Sequence, residues 1–448
     1  MYQQLVRRLI SQVTLTCKQN LHVKSRTFHR PKRAGNLKTM KLDTPQFHGL
    51  FNPELRQLIK YFETYKYELR IAGGAVRDLL LGNDPHDIDF ATTATPDEMK
   101  ALFERENVRM INNKGEKHGT ITARINDKEN FEVTTLRIDV VTDGRHAEVE
   151  FTTDWQLDAN RRDLTINAMF LGFDGMLYDY FSGIKDLDER RVRFVGIAAE
   201  RMQEDYLRIL RYFRFYGRIA TGPNLHEPQT LDSIRQNAGG LAGISGERLW
   251  VEVKKILTGN YAGPIVQTMT ELGVGAFIGL PEKPDVQHFL QVCARTEGLS
   301  PLPMTRLSAL LSGESEMYEL HKRMKLSTEE LKMGLFIIQH RDDDVGDSVS
   351  RYCQDLIIDT VGREPKVKDR IIQLLVYKGE GTQADEFVSW SPPKFPVTGH
   401  DLFAHNVPKG PVFAKTLNEL RQIWKKSNCL MSKEELIDKI DEVVKQKS

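Results

Sequence analysis

Two aspartates one residue apart, Asp87 and Asp89, follow a glycine pair, Gly73 and Gly74, in the segment GGAVRDLLLGNDPHDIDF. Adjacent glycines at the end of a strand let backbone amides approach a ligand with no Cβ in the way. A helix predicted over 76–81 starts above them and aims its positive end at the same point, which suits a phosphate; Arg77 adds a cation. In a strand predicted over 87–91 the two carboxylates share a face. They repel one another unless a cation lies between them, and Mg²⁺ prefers oxygen ligands. Glu132, on a predicted strand over 131–136 with Thr134 and Leu136 on its face, would supply a third carboxylate. Phosphoryl transfer commonly uses two metals, one on the attacking hydroxyl and one on the triphosphate. A lone D-x-D is more often a solvated strand. With a phosphate cradle ahead of it, the pair outlines a two-Mg²⁺ site for nucleotidyl transfer.

The elements that must position these residues follow from periodicity. Residues 51–66 read as an amphipathic helix and 67–72 as a strand, with further strands over 108–112, 119–125 and 148–152 and a helix over 96–106. Segments 167–173 and 176–180 flank Asp174-Gly175 and read as a hairpin. From about residue 199 helical periodicity takes over, with helices expected over 200–219, 231–237, 246–257, 263–272, 285–293, 305–311, 328–339, 367–377, 412–427 and 433–445. The fold class is thus an α/β head, a small mixed sheet with helices, followed by an all-α C-terminal half. The expected divisions are a leader (1–42), a head (43–185), a helical neck (186–262), a helical body (263–340) and a helical tail (341–448).

Composition narrows the class. The chain has 448 residues, too many for one compact core. No apolar run nears the roughly 20 residues that span a bilayer, so no membrane partner is expected. Four scattered cysteines, with no C-x-x-C pair, exclude a disulfide framework and a sulfur-rich zinc site. The formal charge of +1 hides an asymmetry: residues 1–42 carry ten Lys or Arg and no acid, which leaves 53 basic against 62 acidic residues beyond them. The leader therefore reads as a mitochondrial transit peptide, pointing to the mitochondrial matrix. Met40 is a place where a second start would give a leaderless cytosolic or nuclear form. The rest is no polycation, so nucleic-acid binding must rest on local basic patches.

The G-G-x-V-R-D and D-x-D segments resemble the nucleotidyltransferase superfamily that includes DNA polymerase β and poly(A) polymerases. Arg161-Arg162-Asp163-Leu164-Thr165-Ile166-Asn167 matches the RRDxxxN motif of class II CCA-adding enzymes and bacterial poly(A) polymerases. Asp179–Gly183 resembles the hinge motif that follows, Glu204-Asp205-Tyr206-Leu207-Arg208 the nucleotide-selecting EDxxR motif, and 245–252 (SGERLWVE) the next helical motif. The likeness is strong over roughly 43–260, and FPVTGHDLF with the Trp424 helix resembles the eukaryotic tail. It implies addition of the CCA end of tRNA from CTP and ATP by a polymerase-β-type head. It also implies that Asp163 contacts the ribose, and that Arg162 and Asn167 contact ribose or phosphate. Residues 112–118, with Lys117 and His118, would be a flexible loop that helps the switch from CTP to ATP.

On a helix, Asp205 and Arg208 face the same way. Asp offers only acceptors and Arg only donors. Cytosine and adenine each show an amino donor beside a ring-nitrogen acceptor, which fits that pair; uracil and guanine show the reverse order and would leave buried groups unpaired. Glu204 would buttress Arg208, while Arg211, Arg214 and Arg218 would be phosphate contacts or solvated charges. In the tail, Lys415, Arg421 and Lys425 are potential contacts to the tRNA elbow, beside the acceptor stem held further forward. The Gly239-Gly240 segment reads as a lead-in to a helix capped by Ser245, and His400-Asp401 as structural. A bacterial-type poly(A) polymerase shares the head but typically carries a basic Gly-Arg-Arg-Phe segment where this chain has INNKGEKHGT. An inactive RNA-binding descendant would have no need of the metal carboxylates, and an antibiotic nucleotidyltransferase lacks the EDxxR helix. Either a monomer or a homodimer suits the sequence.

Overall fold

In the computed structural model, the described residues are 38–111, 113–142, 147–343, 348–360 and 364–447. The head is an eight-stranded mixed sheet in the order β1-β10-β9-β2-β3-β6-β5-β4. Its strands are β1 (Lys38–Lys41), β2 (Leu69–Ala72), β3 (Asp89–Thr92), β4 (Arg109–Ile111), β5 (Thr120–Ile125), β6 (Glu129–Thr135), β9 (Met169–Leu171) and β10 (Met176–Asp179). Only β3 and β6 pair in parallel, with Asp89 opposite Glu132. A separate ribbon pairs β7 (Arg137–Thr142) with β8 (Ala147–Phe151). Helices Pro53–Thr64, Gly74–Leu80 and Pro96–Arg105 cover one face over a core that holds Leu58, Phe62, Ile71, Phe90, Phe103 and Val133. The other face buries Ala72, Ala91, Leu136, Trp155 and Phe170. Period-two alternation puts Asp89 and Glu132 on that second face, at the β3–β6 seam.

Two strands lie outside those expected from sequence. β1 falls at the end of the expected leader and pairs with β10, Met40 opposite Leu177; its cationic sequence KTMK suits an edge strand. The transit-peptide segment ahead of it lies outside the described residues. β7 (RIDVVT) has the alternation of a strand. The 167–180 hairpin forms as expected, and Gly175 turns it at φ +82°.

Beyond the head the chain is helical. One continuous core runs from Leu164 through Phe213, Trp250 and Leu310 to Tyr377, so neck and body share an interior. The tail packs around two further clusters, one on Ile357 and Leu375 and one on Leu402, Leu420 and Trp424. Among the described residues no helix is long and apolar enough to cross a membrane, and Cys293, Cys353 and Cys429 are unbonded thiols.

The helix expected over 200–219 is two helices, Ala198–Glu204 and Leu207–Ile219, the second called here the neck helix. Asp205 breaks them in extended backbone, φ −150° and ψ 105°. Its Oδ1 accepts from the Leu207 amide at 3.1 Å, the local side-chain bond by which Asp competes with a helix.

Candidate active site

A cavity of about 1090 Å³ lies between head and neck. Its wall includes Gly73, Gly74, Arg77, Asp87, Asp89, Arg162, Asp163, Asn167, Asp205, Arg208 and Arg211, all singled out in the sequence. Glu132 stands next to Asp89 on the neighbouring strand and is exposed.

Asp87 lies in a bend ahead of β3, so the two aspartates do not share a strand face as expected. They meet because the 83–88 segment, which contains Pro85, delivers Asp87 to the same cavity that receives Asp89. The Asp89 carboxyl is reachable by solvent, yet cavity walls crowd it. That crowding raises its pKa above the ordinary carboxylate value; Arg162 opposes the rise and Asp87 adds to it.

Gly73 has φ +65°, and a Cβ there would stand 2.8 Å from Arg162 Nη1. The glycine thus admits the guanidinium as well as turning the chain. Arg162 is held by Asp158 at 3.1 Å and lies over the Phe170 ring at 4.9 Å. Asp158 also takes Arg161 at 2.8 Å. Burial opposes its ionisation, but the two arginines outweigh burial and keep its pKa low. Asp158 was not singled out; it follows an N-capped helix start at Asp154 and carries no motif signature.

Arg77, expected to add a cation beside the glycines, lines the cavity but is 3% exposed and braces its wall. It donates to Asn167 Oδ1 at 2.5 Å and to Asp78 at 3.1 Å. Asp163 is also spent within the wall: its oxygens accept from Leu164 N at 2.8 Å, Asn167 Nδ2 at 3.3 Å and Arg211 Nε at 2.6 Å. Burial would raise its pKa, yet the Arg211 charge and these bonds keep it below the usual range. Asp163, expected to contact the ribose, lines the cavity and also organises its wall.

On the neck side, Arg208 donates to Glu204 at 2.6 Å, as expected, and to the Arg161 carbonyl at 2.9 Å. Asp205 Oδ2 accepts from Arg248 Nη2 at 2.7 Å. Arg248 lies in the SGERLWVE segment, whose likeness to a motif was the one signal for it. Ser245 occupies the N-cap of helix Gly246–Leu257 without a side-chain capping bond. Gly240 serves a different neighbour, because a Cβ there would overlap the Tyr206 ring at 2.1 Å.

The remaining sites lie elsewhere. Residues 113–118 form a 3₁₀ helix, tied by Lys100 to Glu116 at 2.6 Å and by Arg137 to the His118 carbonyl. Neither Lys117 nor His118 lines the cavity. In the tail Lys415 is exposed and Arg421 packs over Phe395. Lys425 is 6% exposed and paired with Asp359 at 2.7 Å, so it cannot reach out to an RNA as expected. Asp401 caps Thr398 and pairs with Lys433, a structural role as anticipated.

Comparison with known proteins agrees with this architecture. Residues 69–193 match the family described as "Poly A polymerase head domain", and residues 227–282 match "Probable RNA and SrmB- binding site of polymerase A". The chain is 56% identical over 411 residues to the mitochondrial CCA tRNA nucleotidyltransferase 1 of Danio rerio, covering 91% of this chain and 94% of that one. With the enzyme of the same name from Homo sapiens it shares 54% over 407 residues, 90% and 93% of the two chains. The fold superposes on the CCA-adding enzyme of Bacillus stearothermophilus, solved with CTP, at a TM-score of 0.69 and 25% identity, covering 90% of this chain and 99% of that one. With such identity running through nearly the whole of both chains, this protein belongs to the CCA tRNA nucleotidyltransferase family.

Proposed function

We propose that the chain completes and repairs the 3′ end of tRNA, adding C, C and A from CTP and ATP without a nucleic-acid template and releasing pyrophosphate. The observation that supports this best is the meeting of Asp87 and Asp89 with Asp205, Arg208 and Arg248 in one cavity. The first pair suits a triphosphate and its counter-ion, the second group a base.

Mg²⁺ suits the head side. Asp87 and Asp89 offer oxygen only, the Asp87 charge works against ionisation of Asp89, and Glu132 stands beside Asp89. Among the described residues no three His, Cys, Asp or Glu side chains form a ready metal cage. Mg²⁺ is commonly held by one or two carboxylates, with substrate phosphates and water completing the shell. When bound, the ion would favour the ionised 3′ hydroxyl and share the triphosphate charge. Arg162 and Gly73 then hold the phosphates. Asp205 accepts from the exocyclic amine of cytosine or adenine, while an arginine donates to the ring nitrogen beside it. The tethers on Arg208 and Asp205 fix their order, so uracil and guanine leave partners unsatisfied. The helical half holds the acceptor stem through shape and backbone.

The names of its relatives and the basic leader support residence in mitochondria. A form started at Met40 would give up the pairing of Lys38 and Thr39 with β10.

Asp89→Ala, assayed on tRNA lacking CCA with CTP, ATP and Mg²⁺, tests metal-dependent catalysis. Addition by the wild type that disappears in the variant and on chelation supports the proposal. Activity that survives both changes contradicts it.

A further inference from the structure

The polar bonds in the cavity form a chain that leaves the neck helix and returns to it. Arg211 binds Asp163, Asp163 binds Asn167, and Asn167 binds Arg77. Arg77 in turn binds Asp78, and Asp78 Oδ1 accepts from Arg218 Nη2 at 2.9 Å. Arg211 and Arg218 are two helical turns apart and project from one face. Phe215 fills the interval between them, with Arg77 over its ring at 4.9 Å and Arg214 at 4.4 Å. Asp78 is 8% exposed, whereas the Arg218 side chain is 52% exposed.

The chemistry proposed above makes no use of Asp78. Yet head and neck must hold two ends of one nucleotide: the triphosphate beside Asp87 and Asp89, the base beside Asp205 and Arg208. The seat of the neck helix on the head sets the distance between them, and small errors in such a distance cost rate. From this we infer that Asp78 is a positioning residue for nucleotide selection. It clasps Arg218 of the neck to Arg77 of the head, and together with the Asp163–Arg211 pair it fixes the register of the base-reading groups against the metal-binding carboxylates. The inference rests on the reading given under Proposed function.

The test uses the full chain, a tRNA lacking CCA, and CTP in competition with UTP. Asp78→Asn keeps the shape and removes the charge. It is expected to lower kcat for CTP by about 10- to 100-fold while KM stays within about threefold, and to raise UTP incorporation relative to CTP by about tenfold. Arg218→Gln, at the exposed end of the clasp, shifts both quantities the same way by smaller factors. Arg218→Lys restores most of the loss. If Asp78→Asn fails to fold, Arg218→Gln carries the test. A folded variant with unchanged CTP-to-UTP discrimination overturns the inference while wild-type CTP addition upholds the reading beneath it; no CTP addition by the wild type sinks both.

Discussion

Arg248 donates to Asp205 at 2.7 Å, across 43 residues of sequence, and so ties the extended break before the neck helix to the next long helix. The bond gives the Asp205 carboxylate a second anchor beside the Leu207 amide that holds its other oxygen, and so fixes its orientation in the cavity wall. Arg248→Ala is expected to lower kcat/KM for CTP by about 10- to 100-fold and to relax base choice. Single-nucleotide kinetics with each of the four nucleotides measures this, and unchanged selectivity would show that Arg248 is mere scaffold.

Lys425 and Lys415 separate stability from binding. Lys425→Ala leaves the partly exposed Asp359 without its partner and should cost about 1–3 kcal/mol, seen as a lower melting temperature. Affinity of the folded variant for tRNA should not change. Lys415 is exposed, and its alanine variant should melt with the wild type.

Gly240 and Tyr206 are a steric pair. Gly240→Ala forces the Tyr206 ring from its seat beside Asp205, and overpacking of that kind costs about 1–3 kcal/mol. Adding Tyr206→Leu should recover most of the stability, as chemical denaturation would reveal. Failure of the second change to restore it would place the strain elsewhere.

His226 makes stability depend on pH. Its ring stacks on Tyr216 at 3.7 Å and bonds the Tyr212 hydroxyl at 2.9 Å, and burial pushes its pKa down to about 4. Unfolding releases the ring to titrate near the ordinary value of about 6.5. Between these values the unfolded state binds more protons, so stability is full above about pH 6.5 and is lost as pH falls toward 4. Allowing for partial exposure, the loss is on the order of 2 kcal/mol. His226→Phe should flatten that slope in melts between pH 7 and pH 5.

The head was largely legible because its signals are local. Gly73-Gly74, the D-x-D pair and the RRDxxxN segment are each read within a few residues, and the cavity gathers them. What sequence missed depends on distant partners. The second anchor of Asp205 is Arg248, 43 residues away, and burial of Lys425 depends on Asp359, 66 residues away. The Asp78–Arg218 bond spans 140 residues. Periodicity marks which side of a helix is apolar, but it does not say which charge will find a mate inside.

The most direct measurement is the product formed on a tRNA lacking its CCA end. Purified protein with Mg²⁺ would be given CTP alone, ATP alone, or both. The account predicts growth by two nucleotides with CTP and by three with both, ending in C-C-A. A long run of A from ATP alone would mean a poly(A) polymerase, and no growth under any condition would mean an RNA-binding protein without this activity; either would contradict it.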